Sequence, residues 1–60
     1  MTWEELEEEA KKMGDVEIFG KFIAMGGLYF WKDGEVNLLG AKIAKDRTPD
    51  QMLAIMKALQ

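Results

Sequence analysis

The chain reads as an α+β domain: an N-terminal helix, a three-stranded antiparallel β-meander with two tight hairpins, and a C-terminal helix. Three observations carry that expectation. Two Thr-led capping boxes stand near the ends of the sequence, at Thr2-Trp3-Glu4-Glu5 and Thr48-Pro49-Asp50-Gln51. Two glycine-containing pairs, Gly26-Gly27 and Asp33-Gly34, punctuate the middle. The residues around those pairs are rich in aromatic and apolar side chains, which suit a pleated, half-buried surface.

The first helix is expected over residues 3–13. The Thr2 hydroxyl can accept from the third helical N–H while Glu5 reaches back to the cap. Early glutamates suit the positive end of the helix dipole. Trp3, Leu6, Ala10 and Met13 recur at helical spacing and give one apolar stripe. Gly14 follows Lys11, Lys12 and Met13, a normal helix stop.

Residues 15–20 stay open between strand, helix and loop. Val16, Ile18, Phe22 and Ala24 alternate as a strand would, whereas Val16, Phe19 and Ile23 fit a helical face. Strands are expected at 21–25, 28–32 and 35–39. Gly26-Gly27 joins the first two as a two-residue turn, setting Ala24 against Tyr29, Ile23 against Phe30 and Phe22 against Trp31. Asp33-Gly34 is a second two-residue signal, because a type I′ turn needs positive φ at both central positions. It sets Trp31 against Val36, Phe30 against Asn37 and Tyr29 against Leu38. Gly40 ends or bulges the third strand, which residues 41–45 then continue briefly. Asp46-Arg47 is loop. The last helix starts with Thr48 as N-cap and Pro49 at N1, and buries Met52, Ile55, Met56 and Leu59, with Leu53 widening the stripe.

Alternation gives the meander two faces. The first carries Phe22, Ala24, Tyr29, Trp31, Val36 and Leu38, and is expected to meet both helices, since helices of an open antiparallel sheet commonly share one side; the alternative is one helix on each face. The second carries Ile23, Met25, Leu28, Phe30 and Leu39, with Asn37 among them. These five apolar residues are the expected interface.

Composition narrows the function. Sixty residues make one small domain. A chain of this size buries only ~60% of the surface its unfolded form exposes. Small folds are usually reinforced by disulfides, metal or oligomerisation. There is no Cys and no His, which removes disulfides, thiolate sites, the commonest zinc ligand and the usual general base. There is also no Ser, and both threonines read as helix caps, so Ser-His-Asp and Cys-His arrangements are impossible. Gly14–Phe22 departs from a phosphate-binding loop in its glycine spacing and in having Phe after Lys21. Asp33, Glu35 and Asn37 alternate like calcium ligands but lack the Gly and Glu that such a loop requires. Glu4 to Glu9 read as a solvated helix face. No catalytic, cofactor-binding or metal-ligating residue is therefore assigned, and no small-molecule substrate is expected.

The net charge of −3 is unevenly placed. Residues 1–13 hold five Glu and two Lys, a balance of −3, while residues 14–47 hold five acids and five bases. No apolar run reaches the length of a membrane span and no basic leader precedes an apolar core. Lack of cysteine fits a reducing, cytoplasmic setting. The expectation is a non-enzymatic interaction module, a homodimer or partner of another protein, joined through the Phe30 face. The rival reading is a nucleic-acid-binding hairpin with Lys21, Lys32, Lys42, Lys45 and Arg47 on phosphates and Trp31 or Phe30 stacking on bases. The balanced charge counts against it.

Overall fold

The computed structural model describes residues 1–60. Its elements are α1 (Trp3–Lys11), β1 (Glu17–Ile18), β2 (Phe22–Met25), β3 (Leu28–Trp31), β4 (Val36–Leu38), β5 (Ala41–Ala44) and α2 (Pro49–Ala58). The five strands form one antiparallel meander in chain order. The architecture is α+β with a helix at each end, as expected, but the sheet has five strands rather than three. The open question over residues 15–20 resolves in part to β1. The segment expected to continue the third strand turns back and becomes β5.

Both helices begin as their sequences dictate. At Thr2 and at Thr48 the hydroxyl accepts from the N–H three residues on, and the Glu5 or Gln51 side chain accepts from the cap N–H. Each box satisfies two N–H groups that a helix start otherwise leaves orphaned. The two helix starts lie side by side: the Met1 ammonium donates to Asp50 Oδ1 at 2.7 Å. That hydrogen bond and the carboxylate's charge hold the ammonium pKa above its ordinary value.

The turns decide the faces. Gly26 and Gly27 have φ of 55° and 85°, and the β2–β3 register is the expected one, with Phe22 opposite Trp31, Ile23 opposite Phe30 and Ala24 opposite Tyr29. The second hairpin differs. Only Gly34 has positive φ, at 103°; Asp33 does not. Gly34 N–H donates to Trp31 O at 3.0 Å and Trp31 N–H to Glu35 O at 2.8 Å, so the loop is Lys32-Asp33-Gly34. This is the three-residue hairpin that ends on a residue in the left-handed region. Asp33 supports it by accepting from the Glu35 N–H at 3.0 Å, an Asx-type bond that competes with the two-residue turn.

One extra loop residue slips the register by one, and a one-residue slip moves a whole strand's side chains to the other face. Phe30 now faces Val36, Tyr29 faces Asn37, and Leu28 faces Leu38. Val36 therefore joins Ile23, Met25, Leu28 and Phe30, while Asn37 leaves them. That face becomes wholly apolar along β2–β4, and it is the face the helices cover. Trp3, Leu6 and Ala10 of α1 and Met52 and Met56 of α2 pack with those five sheet residues in one buried cluster. Phe30, Ile23 and Val36 are fully enclosed. Leu59, expected in the stripe of α2, is instead exposed.

Candidate functional site

The face left uncovered is the one expected to lie under the helices. Strand pairing arranges it in two rows. One row runs Glu17, Ala24, Tyr29, Asn37 and Lys42 from β1 to β5. The other runs Phe19, Phe22, Trp31 and Glu35, joined by the Phe22–Trp31 pair and by the N–H of Phe19 to Phe22 O and of Trp31 to Glu35 O. Four of the chain's six aromatic residues thus share one solvent-facing sheet surface.

Phe22 is the hub of that group. Its ring stacks on Phe19 at 4.6 Å between centroids, lies tilted against Trp31 at 4.7 Å, and meets Tyr29 edge-on at 5.7 Å. These separations fall in the range where aromatic pairs contribute beyond area burial, by about 0.5–1.5 kcal/mol each. Phe19 stays 43% exposed and Tyr29 37% exposed, while Phe22 and Trp31 are half-buried. The Trp31 indole Nε1 is enclosed and finds no acceptor in the chain.

Polar groups frame the aromatics. At the β4–β5 side, Glu35 accepts from Asn37 Nδ2 at 2.8 Å and pairs with Lys42 Nζ at 3.4 Å. The acid-rich α1 lies on the opposite, helical side of the sheet. At one end of the strands, Lys32 N–H donates to Lys21 O at 2.9 Å, so two lysines stand opposite each other. With Gly20, Trp31 and Asp33 they line an open groove of about 400 Å³.

The expected interface residues divide sharply. Ile23, Met25, Leu28 and Phe30 are buried beneath the helices and form the domain's own core. They do not form an open surface, because the register slip completes their face with Val36 and gives the helices an uninterrupted apolar layer. Only Leu39 is exposed, at 82%, and it sits in the β4–β5 turn rather than on a sheet face. Phe30 has no ring face to offer a base. Of the five basic residues in the rival reading, Lys42 is paired to Glu35, and Lys21 and Lys32 flank Trp31. The sequence places Phe22, Tyr29 and Trp31 together on one face, but it neither joins Phe19 to them nor announces the exposure of that face. No group of three or more acids converges as a metal site would need, and no helix is long and apolar enough to cross a membrane.

The fold and this surface together define a small α+β domain with an uncovered aromatic sheet face. Comparison with protein-family models, with curated proteins and with solved structures found no match.

Proposed function

We propose that the protein is a non-enzymatic interaction module that self-associates through the open sheet face. The observation carrying this is the aromatic cluster of Phe19, Phe22, Tyr29 and Trp31 on a face that no helix covers. Aromatic residues are enriched and charges depleted at the centres of protein interfaces, with polar groups at the rim. Here the rim is Glu17, Glu35, Asn37 and Lys42. A sheet face of this kind buries itself well against another sheet, about 10 Å away, as in a β-sandwich. For a domain with so small a core, association also supplies stability that a longer chain would find internally.

A nucleic-acid reading draws support from one feature, the facing Lys21 and Lys32 beside Trp31. The ring geometry favours protein. Base stacking needs an uncovered ring face, and the rings of Phe19, Phe22 and Trp31 are turned largely toward one another.

The test is molar mass by light scattering over a dilution series, for the wild type and for Tyr29→Glu. Tyr29 is outward-facing, so its replacement spares the core. The wild type is expected to move from dimer to monomer on dilution, and Tyr29→Glu to be monomeric at every concentration while still folded by circular dichroism. A wild type that stays monomeric at millimolar concentration would sink self-association. Tight binding of a single-stranded oligonucleotide by that monomer would move the face to the rival reading.

A further inference from the structure

Resting on the self-association reading, we infer that the second copy docks through a two-fold axis parallel to the strands, close to β3, so that each Glu17 lies over its partner's Lys42. The row Glu17, Ala24, Tyr29, Asn37 and Lys42 crosses all five strands on the open face. Its two ends carry opposite charges and its middle residue is Tyr29 on the central strand. Two-fold contacts are self-complementary: if one residue meets a second, the second meets the first. An axis along β3 reverses the strand order of the partner. The β1 edge of each copy then lies over the β5 edge of the other, and one geometric operation brings two Glu17–Lys42 pairs together.

The same axis uses the aromatics. Both outward residues of β3 in the open rows are aromatic, Tyr29 and Trp31. On the axis each meets its own copy, which puts aromatic surface at the centre and the Glu17 and Lys42 charges at the rim, with Glu35 one strand from the axis. An axis across the strands also lays β3 on β3 but loses the charge match. It stacks β1 on β1, leaving Glu17 over a strand whose two residues, Glu17 and Ile18, include no base.

Glu17 is also the free half of the pair. It is exposed and makes no ion pair within its own chain. Lys42 reaches Glu35 at 3.4 Å and keeps 58% of its side chain exposed, so it can serve a second carboxylate. Rim charges of this sort chiefly set orientation and partner choice, and they are screened by salt.

The experiment uses Glu17→Lys and Lys42→Glu, alone and mixed in equal amounts, with dimerisation followed by light scattering or sedimentation at low salt. Alone, each variant sets like charges against each other at two symmetry-related points. Each is expected to dimerise on the order of 10-fold more weakly than wild type, as exposed pairs of modest strength imply. Mixed, a Glu17→Lys chain and a Lys42→Glu chain present Lys against Glu at both points. The heterodimer is expected to form in preference to either homodimer, and the preference to fade at high salt. Wild-type dimers that Tyr29→Glu dissociates but that neither charge variant weakens would overturn this orientation and leave the self-association reading standing. A wild type that never dimerises overturns both.

Discussion

Leu39 has φ of 51°, in the left-handed region that L-residues with a side chain adopt at a cost of roughly 1–2 kcal/mol. It does so because Leu39 and Gly40 form the two-residue turn between Leu38 and Ala41, and a type I′ turn needs positive φ at both places. Gly40 takes its φ of 89° without strain; Leu39 does not. Its side chain recovers little, being mostly in solvent and lying over Gly27, where a Cβ would come within 3.0 Å of Leu39 Cδ2. Leu39→Asn is therefore expected to raise stability by about 0.5–1 kcal/mol, since Asn tolerates this conformation far better. Urea denaturation checks it, and a loss of stability would show that the contact over Gly27 outweighs the relieved strain. The turn was hard to see in the sequence for the same reason. Leucine is not a turn residue, so Leu38-Leu39 reads as the end of an apolar strand, and β5 reads as its continuation rather than as a new strand.

The starts bounded by specific side-chain chemistry were legible, although α1 stops at Lys11, two residues short of the expected Met13. Both helix starts follow from four-residue boxes whose hydrogen bonds are local, and the Gly26-Gly27 hairpin follows from two residues free to take positive φ. The Asp33-Gly34 hairpin shows where such reading stops. Asp-Gly is compatible with a two-residue turn and with a three-residue loop ending on Gly34. The Asp33–Glu35 bond and the packing of Gly34 against a distant segment select the second. Arg47 N–H donates to Gly34 O at 2.9 Å, and a Cβ on Gly34 would lie 3.1 Å from Arg47 N and from Asp46 Cα. Twelve residues lie between Gly34 and Arg47, so no local pattern announces the contact. Gly34→Val should then act twice, through left-handed strain of about 1–3 kcal/mol and by displacing the Asp46–Arg47 backbone that leads into α2. Its denaturation midpoint is expected to fall well below that of wild type. An unchanged midpoint would mean that this loop neither holds Gly34 in place nor depends on it.

At the scale of the molecule, a one-residue difference in one loop decides which side of the sheet becomes core. With the shorter loop, Val36 and Leu38 join Tyr29 and Trp31, and Asn37 interrupts the Phe30 face, so the aromatic side looks like the natural seat for helices. With the longer loop, Asn37 and Glu35 pass to the aromatic side and Val36 completes the aliphatic one. Burying an amide and a carboxylate beneath the apolar stripes of two helices would strand polar groups at a cost of ~1–3 kcal/mol each. The helices therefore cover the side with nothing polar to strand. The candidate surface is the complement of that choice, so Phe22, Ala24, Tyr29 and Trp31 could be grouped from the sequence, while the arrival of Asn37 beside them and the exposure of the face could not. Two neighbouring residues of β3 test the assignment directly. Phe30 is fully enclosed among Ile23, Val36 and the helices, so Phe30→Ala removes a buried ring and leaves a cavity. A loss of about 3–5 kcal/mol is expected, enough to unfold much of a domain this small. Tyr29, 37% exposed, touches Phe22 only edge-on, so Tyr29→Ala should cost about 1 kcal/mol or less. Both are to be measured at protein concentrations low enough to keep the chain monomeric, so that association does not add to the apparent stability. If Tyr29→Ala proves the more damaging of the two, the helices lie on the aromatic face and the surface assigned here is the core.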